Sequence, residues 1–260
     1  MALAPLPVAA IWFGGWWLAL LTGLAGAVMA WEWGRLCRGG PAGVSDWGQS
    51  GNLLVGVVVA SVVIAAVGAS GLAVAAMLLG AGLVFWAARR RGGERLWTAL
   101  GALWVALPCI CLLWLARQET GGRATLLWVL AVVWATDIGA YAIGRMIGGP
   151  RLAPRWSPRK TWAGFVGGTA CAAFAGAATA AALGLSSVAP LTLVSAGLAI
   201  VAQFGDLAES VAKRRFGVKD TSALIPGHGG LLDRLDSLLA VIPAVALLTV
   251  IGGRSVLTWQ

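Results

Sequence analysis

Charge is what this chain has least of. Only 11% of its 260 residues are Asp, Glu, Lys or Arg, against roughly 25% in an average soluble domain. With 59% hydrophobic residues and a mean hydropathy of +0.85, a water-soluble globule is a poor fit and a bilayer is the expected medium. Long polar stretches are missing too. Every gap between apolar runs is under about 25 residues, which leaves no separate soluble domain, so residues 1–260 read as a single transmembrane domain. The four cysteines, Cys37, Cys109, Cys111 and Cys171, include no C-x-x-C pair. Cys109 and Cys111 point to different faces of a helix, so the cysteines read as small core residues and not as a thiolate metal site. Met1–Pro7 contains no Lys or Arg, and no small-residue cleavage site precedes a soluble body. A removed signal peptide is therefore not expected, and targeting falls to the first span.

Apolar runs are there in quantity. Stretches long enough to cross a bilayer, roughly 17–25 residues each, fall near 8–31, 52–69, 71–88, 96–116, 124–147, 162–184, 187–209 and 232–251. The fold class is thus an all-α polytopic integral membrane protein of eight helices. It becomes nine if residues 2–36 break at Gly14-Gly15 into a short helix and a second one. Sixteen of the nineteen basic residues lie in alternate loops: Arg35 and Arg38, Arg89 to Arg95, Arg145 to Lys160, and Lys213 to Lys219 with Arg234. That asymmetry predicts a cytoplasmic face for those loops. The net charge of +9 would suggest nucleic acid in a soluble protein, but its place in short loops points to topology and anionic lipid or phosphate ligands, with no nucleic-acid partner. The fifteen tryptophans, Trp12, Trp16, Trp17, Trp31 and Trp33 among them, read as interfacial belts. Gly164-x-x-x-Gly168 reads as a site of close helix packing.

Half of the ten acidic residues, Asp206, Glu209, Asp220, Asp233 and Asp236, fall between 206 and 236 together with the only histidine, His228. Charges beside hydrocarbon are costly, so such a concentration marks a functional region. Four polar clusters within 134–237 lie near the basic ends of spans five to eight and are expected to converge. In Trp134-Ala-Thr-Asp137-Ile-Gly-Ala-Tyr141, Asp137 and Tyr141 share a helix face; Asp137 either bonds the only tyrosine or faces a polar cavity. Ser157-Pro-Arg159-Lys160-Thr161 is a basic turn in which Thr161 can cap the next helix. The amides there, with Arg159 and Lys160, suit a phosphate, although a positive-inside loop is also basic.

Asp206, Glu209 and Lys213 follow i, i+3, i+7 spacing and line one helix stripe. They form either a salt-bridged helix end or a pair of acids stabilised by a cation between them. Finally, Pro226-Gly-His228-Gly229-Gly230-Leu-Leu-Asp233-Arg234-Leu-Asp236 repeats the i, i+3 pair of acids after glycines that let backbone amides approach a ligand. Oxygen ligands for a hard cation, bases for phosphates and glycines for close contact are what a Mg²⁺–polyphosphate site requires.

Ser210-x-x-Lys213-Arg214, Lys219-Asp220 and Pro226-x-His228-Gly229-Gly230-x-x-Asp233-Arg234-x-Asp236 together resemble the signature of the phosphatidate cytidylyltransferases, or CDP-diacylglycerol synthases. The clusters at Trp134–Tyr141, Arg159–Thr161 and Gly205–Ser210 extend the resemblance over roughly residues 130–240. Ala212 departs from it, standing where a larger aliphatic residue is usual, and the leading helix ahead of Trp31-Glu32-Trp33 looks shortened.

The resemblance implies that CTP and phosphatidic acid in the bilayer are converted to CDP-diacylglycerol and pyrophosphate for phospholipid biosynthesis, at the cytoplasmic face of the inner (plasma) membrane. A phosphate monoester dianion needs no strong base to attack, so catalysis would rest on positioning, charge neutralisation and a metal. The cofactor expected is Mg²⁺, with a second cation such as K⁺ as an option, and a homodimer is an open option. On this reading Asp206 and Asp233 are direct metal ligands and Asp236 and Glu209 support them. Lys213, Arg214 and Lys219 contact phosphates, with Ser210 and His228 positioning them. Arg159 and Lys160 hold the phosphatidate head group or the triphosphate, Gly229, Gly230 and Arg234 belong to the binding loop, and Asp137 joins the site. The rival classes are a cation-coupled transporter, which should show mid-span acids on inverted repeats not seen here, and a cytidylyltransferase of another lipid phosphate. A CDP-alcohol phosphotransferase is disfavoured by the absence of its D-G-x-x-A-R start.

Overall fold

The computed structural model describes residues 5–38, 48–89, 94–225, 227 and 229–258. Among these residues there are nine α-helices: α1 Pro5–Phe13, α2 Gly15–Leu36, α3 Gly48–Ala66, α4 Ser70–Arg89, α5 Arg95–Ala116, α6 Gly122–Ile147, α7 Trp162–Ala182, α8 Ala189–Arg215 and α9 Leu232–Gly252. Two short strands, β1 Arg151–Ala153 and β2 Ser157–Thr161, form an antiparallel hairpin between α6 and α7. Helices α4 to α9 are each long and apolar enough to cross a membrane.

The first apolar run breaks at Gly14, where a positive φ of 63° interrupts the helix. Helix α1 has nine residues, about 14 Å at 1.5 Å per residue, less than half of a hydrocarbon core about 30 Å thick. It therefore cannot cross as a regular helix by itself. Helix α2 has 22 residues, with Glu32 and Arg35 near its C-terminal end.

The chain divides into two compact units. The first comprises residues 1–114 and 212–235, that is α1 to α4, most of α5, the last residues of α8, the loop that follows, and the start of α9. Its interior is set by small-to-large fitting. Gly101 of α5 lies directly against the Trp33 indole of α2, leaving no room for a Cβ, and the Trp33 Nε1–H donates to the Trp97 carbonyl at 2.7 Å. Trp33 is therefore a core residue, 3% exposed, and not part of an interfacial belt. Trp12, Trp16 and Trp17 are exposed as expected. Cys37 is buried at the end of α2, and burial pushes its thiol up to about 12. That is inert behaviour, in keeping with a packing role.

The second unit comprises residues 115–211 and 236–260, built from α6, the hairpin, α7, most of α8 and most of α9. Helices α6 and α7 touch backbone to backbone. A Cβ at Gly164 would lie 2.7 Å from the Ala140 carbonyl oxygen, and one at Gly168 would lie 2.8 Å from that of Thr136. The Gly164/Gly168 spacing thus does what it predicts. Polar side chains tie α8 to this pair: Trp128 donates to the Ser195 hydroxyl at 3.1 Å, and the Gln203 amide donates to the Phe165 carbonyl and the Thr169 hydroxyl, both at 3.3 Å. Such bonds are favoured in a medium with no competing water.

Candidate functional site

In the second unit, the hairpin and its cap position the first set of candidate residues. The sequence stretch reads as a basic loop, but antiparallel pairing of Arg151 with Thr161 and of Ala153 with Ser157 folds it back. Thr161 then caps α7, its hydroxyl accepting from the Gly164 amide at 3.1 Å, as the sequence predicts. One residue earlier, Lys160 forms an ion pair with Asp206 of α8 at 2.6 Å. The charges of both Lys160 and Asp206 act on Asp137 of α6, so residues from three of the four sequence clusters share one neighbourhood. Tyr141 does not serve as the partner of Asp137. Tyr141 is two-thirds exposed, and its hydroxyl accepts from Arg145 at 2.9 Å. Arg159 is exposed, and Ser210 is half-buried on α8.

Two further acids are buried in this unit. Glu209 is 1% exposed on α8, and Asp236 is 9% exposed at the second turn of α9, its Oδ1 accepting from the Ser237 amide at 2.7 Å. Gly205 lets α8 and α9 meet closely: a Cβ there would lie 2.5 Å from Ala240 Cβ and 3.1 Å from the Asp236 carbonyl oxygen. The helix turns that bear Asp206 and Asp236 are packed together for that reason.

In the first unit, Asp233 organises the loop after α8. Its Oδ1 pairs with Lys213 Nζ at 2.6 Å, with both side chains largely buried. Its Oδ2 accepts from the Thr221 amide and hydroxyl, each at 2.9 Å, and from the Gly230 amide at 2.8 Å. Lys213 thus pairs with an acid from a different element as well as sharing a helix stripe with acids of its own. Gly229 takes a positive φ of 80° and pairs with Ile225 in a β-bridge, a conformation that favours glycine. Gly230 is buried, and a Cβ on it would overlap the Thr221 hydroxyl and the Glu32 carboxylate. Arg214 donates to the Val218 carbonyl at 3.2 Å. Lys219, Asp220 and Arg234 are exposed. His228 lies outside the described residues.

Glu32 is the residue that sequence reasoning missed. It is fully buried, 0% exposed, in α2, and it accepts from the Ser222 hydroxyl at 2.6 Å and from the Leu231 and Leu232 amides at 2.9 and 2.7 Å. The signal was present as a lone acid in an apolar run, since a carboxylate in that setting requires donors.

Among the described residues, no three acid, histidine or cysteine side chains gather to enclose a metal by themselves. Mg²⁺ does not require such a cage, since it is commonly held by one or two carboxylates plus substrate phosphates and water. Asp206 and Asp233 fit that role, each a carboxylate already paired with an ammonium at 2.6 Å. Lysines in that position can accompany a polyanion.

Carboxylates and lysines thus pair near helix ends of a predominantly helical membrane protein. The chain belongs to the cytidylyltransferase family, whose profile it matches over residues 1–251. It is 38% identical over 268 aligned positions to the phosphatidate cytidylyltransferase of Pseudomonas aeruginosa, covering 95% of this chain and 94% of that one. It is 48% identical over 159 residues to that of Brucella suis biovar 1, covering 60% of this chain, and 40% identical over 147 residues to that of Staphylococcus haemolyticus, covering 56% of each. The match spans 57% of the length of the Brucella relative.

Proposed function

We propose that the protein is a phosphatidate cytidylyltransferase, converting CTP and phosphatidic acid to CDP-diacylglycerol and pyrophosphate at the cytoplasmic face of the inner membrane. The observation that carries this reading is the pair of ammonium–carboxylate contacts, Lys160–Asp206 and Lys213–Asp233, set in a chain of this family. A phosphate oxygen of the lipid attacks the α-phosphorus of CTP. The new P–O bond forms as the bond from the α-phosphorus to the bridging oxygen breaks, and pyrophosphate departs with that electron pair. The attacking monoester is largely dianionic near neutral pH, so no side chain has to remove a proton.

The work of the residues is then positioning and neutralisation. Lys213, Arg214 and Lys219 hold the triphosphate, and the Gly229 and Gly230 backbone leaves space for phosphate oxygens to approach. Arg159 and Lys160 hold the head group of phosphatidic acid, with Ser210, Arg234 and Asp137 completing the polar surroundings. His228 is assigned a hydrogen-bonding role on sequence grounds alone. On sequence grounds Asp206 and Asp233 are the carboxylates assigned to Mg²⁺, with Glu209 and Asp236 supporting them, and K⁺ is the alternative for a second position. The metal, when bound, supplies positive charge against the triphosphate and the departing pyrophosphate. Each lysine released from its carboxylate becomes available to a phosphate oxygen.

A cytidylyltransferase of another lipid phosphate would use the same residues, so the test is chemical. Purified protein with labelled CTP, Mg²⁺ and phosphatidic acid is expected to yield a labelled CDP-lipid and pyrophosphate. Label entering only an isoprenoid phosphate, or no lipid at all, would overturn the assignment.

A further inference from the structure

The loop from Thr221 to Leu232 is held by two carboxylates that divide its donors. Thr221 gives its amide and hydroxyl to Asp233, while its neighbour Ser222 gives its hydroxyl to Glu32. At the other end of the loop, the Gly230 amide goes to Asp233 and the Leu231 and Leu232 amides go to Glu32. Each carboxylate therefore ties together the same two segments of the loop. Asp233 does so locally; Glu32 does so from α2, about 200 positions away in the chain.

We propose that Glu32 is a positioning residue of the active site, fixing the Thr221–Leu232 loop and the first turn of α9 in the conformation that presents Lys213, Asp233 and the glycine backbone to the nucleotide phosphates. This rests on the cytidylyltransferase reading. Three physical arguments support it. A carboxylate with no exposed surface is costly unless its lone pairs are used, and here three donors at 2.6–2.9 Å use them. Its charge lies at the N-terminal end of α9, where orphan amides and the helix dipole favour an anion. Gly230 has no room for a side chain because the Glu32 and Thr221 oxygens fill the space a Cβ would take, so the loop is moulded around Glu32. A cap alone would need only the two amides. The bond to Ser222 adds the far side of the loop, and Ser222 Oγ in turn accepts from the Leu224 amide at 3.1 Å.

Glu32→Gln keeps the volume but turns one acceptor into a donor facing donors. The expected result is a rise in KM for CTP of about tenfold or more with an unchanged KM for phosphatidic acid, because only nucleotide contacts are displaced. Ser222→Ala removes one of the three bonds and should move the same constant in the same direction by about threefold, which keeps the test available if Glu32→Gln does not fold. The second readout is limited trypsin digestion of the purified protein. Cleavage after Lys219 should accelerate in both variants while cleavage after Arg117 stays at the wild-type rate. A merely structural loss would accelerate both cuts and lower Vmax with both KM values intact, and that pattern would overturn the proposal. So would wild-type KM for CTP and wild-type cleavage in both variants. If wild-type protein makes no CDP-lipid yet the Lys219 cut still accelerates selectively, the clamp stands and the cytidylyltransferase reading falls.

Discussion

Two seams in this protein use glycine for opposite ends. Between α6 and α7, Gly164 and Gly168 bring apolar helices into backbone contact, and what is gained is dispersion and a dry interface. Around Asp233, Gly229 and Gly230 let a polar loop close over carboxylates that have almost no exposed surface. At Gly164 and Gly168 the facing atoms of the first seam are backbone carbonyls and small side chains. In the second, the Thr221 and Gly230 amides and the Lys213 ammonium all have a carboxylate acceptor. Tight packing is thus common to both, and what separates them is that the packed atoms of the second carry charge.

The largest effect expected from breaking this contrast is at Asp233. Replacing it with Asn removes the carboxylate that Lys213 meets at 2.6 Å, and loss of one partner from a buried pair costs about 3–5 kcal/mol. Asp233→Asn should therefore lower thermal stability in detergent and also reduce CDP-lipid formation to background. Asp206→Asn should abolish turnover with a smaller loss of stability, since the Asp206 side chain is 34% exposed and its pair with Lys160 is better solvated. Unfolding curves read beside a CDP-lipid assay separate the two effects. Full activity in Asp233→Asn would remove it from the catalytic machinery.

How much of this could be read from the chain depended on how local the determining interaction is. The apolar runs became helices, the break at Gly14 fell where two adjacent glycines stand, and the Thr161 cap followed from a hydroxyl three residues before the amide it accepts from. The hairpin of β1 and β2 was not legible, because segments of three and five residues are too short to carry an alternation that marks them as strands. The i, i+3, i+7 stripe of Asp206, Glu209 and Lys213 was correct as a spacing, but helix geometry says nothing of which acid on another element claims Lys213. Glu32 was hidden for the same reason: two of its partners are main-chain amides, which leave no trace in side-chain patterns.

A change confined to the neutral seam should act on stability and leave substrate constants alone. Gly168→Ala places a methyl 2.8 Å from the Thr136 carbonyl oxygen, a backbone atom that cannot rotate aside. The gain in helix propensity of about 1 kcal/mol should be outweighed by overpacking of about 1–3 kcal/mol. The expected outcome is a lower unfolding temperature with wild-type KM for CTP and for phosphatidic acid. A changed KM for CTP together with normal stability would mean that the two seams are coupled and would blur the comparison.

The smallest effect belongs to an ion pair on the surface of the first unit. Arg215, the last residue of α8, reaches Glu94 just before α5 at 3.3 Å, with both side chains about half exposed. Water and salt screen such a pair, so its removal is worth about 1 kcal/mol or less. Arg215 is nevertheless only two residues from Lys213, whose partner is buried. If burial and not sequence position decides energetic weight, Glu94→Ala should leave turnover and unfolding temperature near wild type, and raising salt should erase what difference remains. A loss approaching that of Asp233→Asn would show instead that the end of α8 must be fixed from both sides before Lys213 can hold its place.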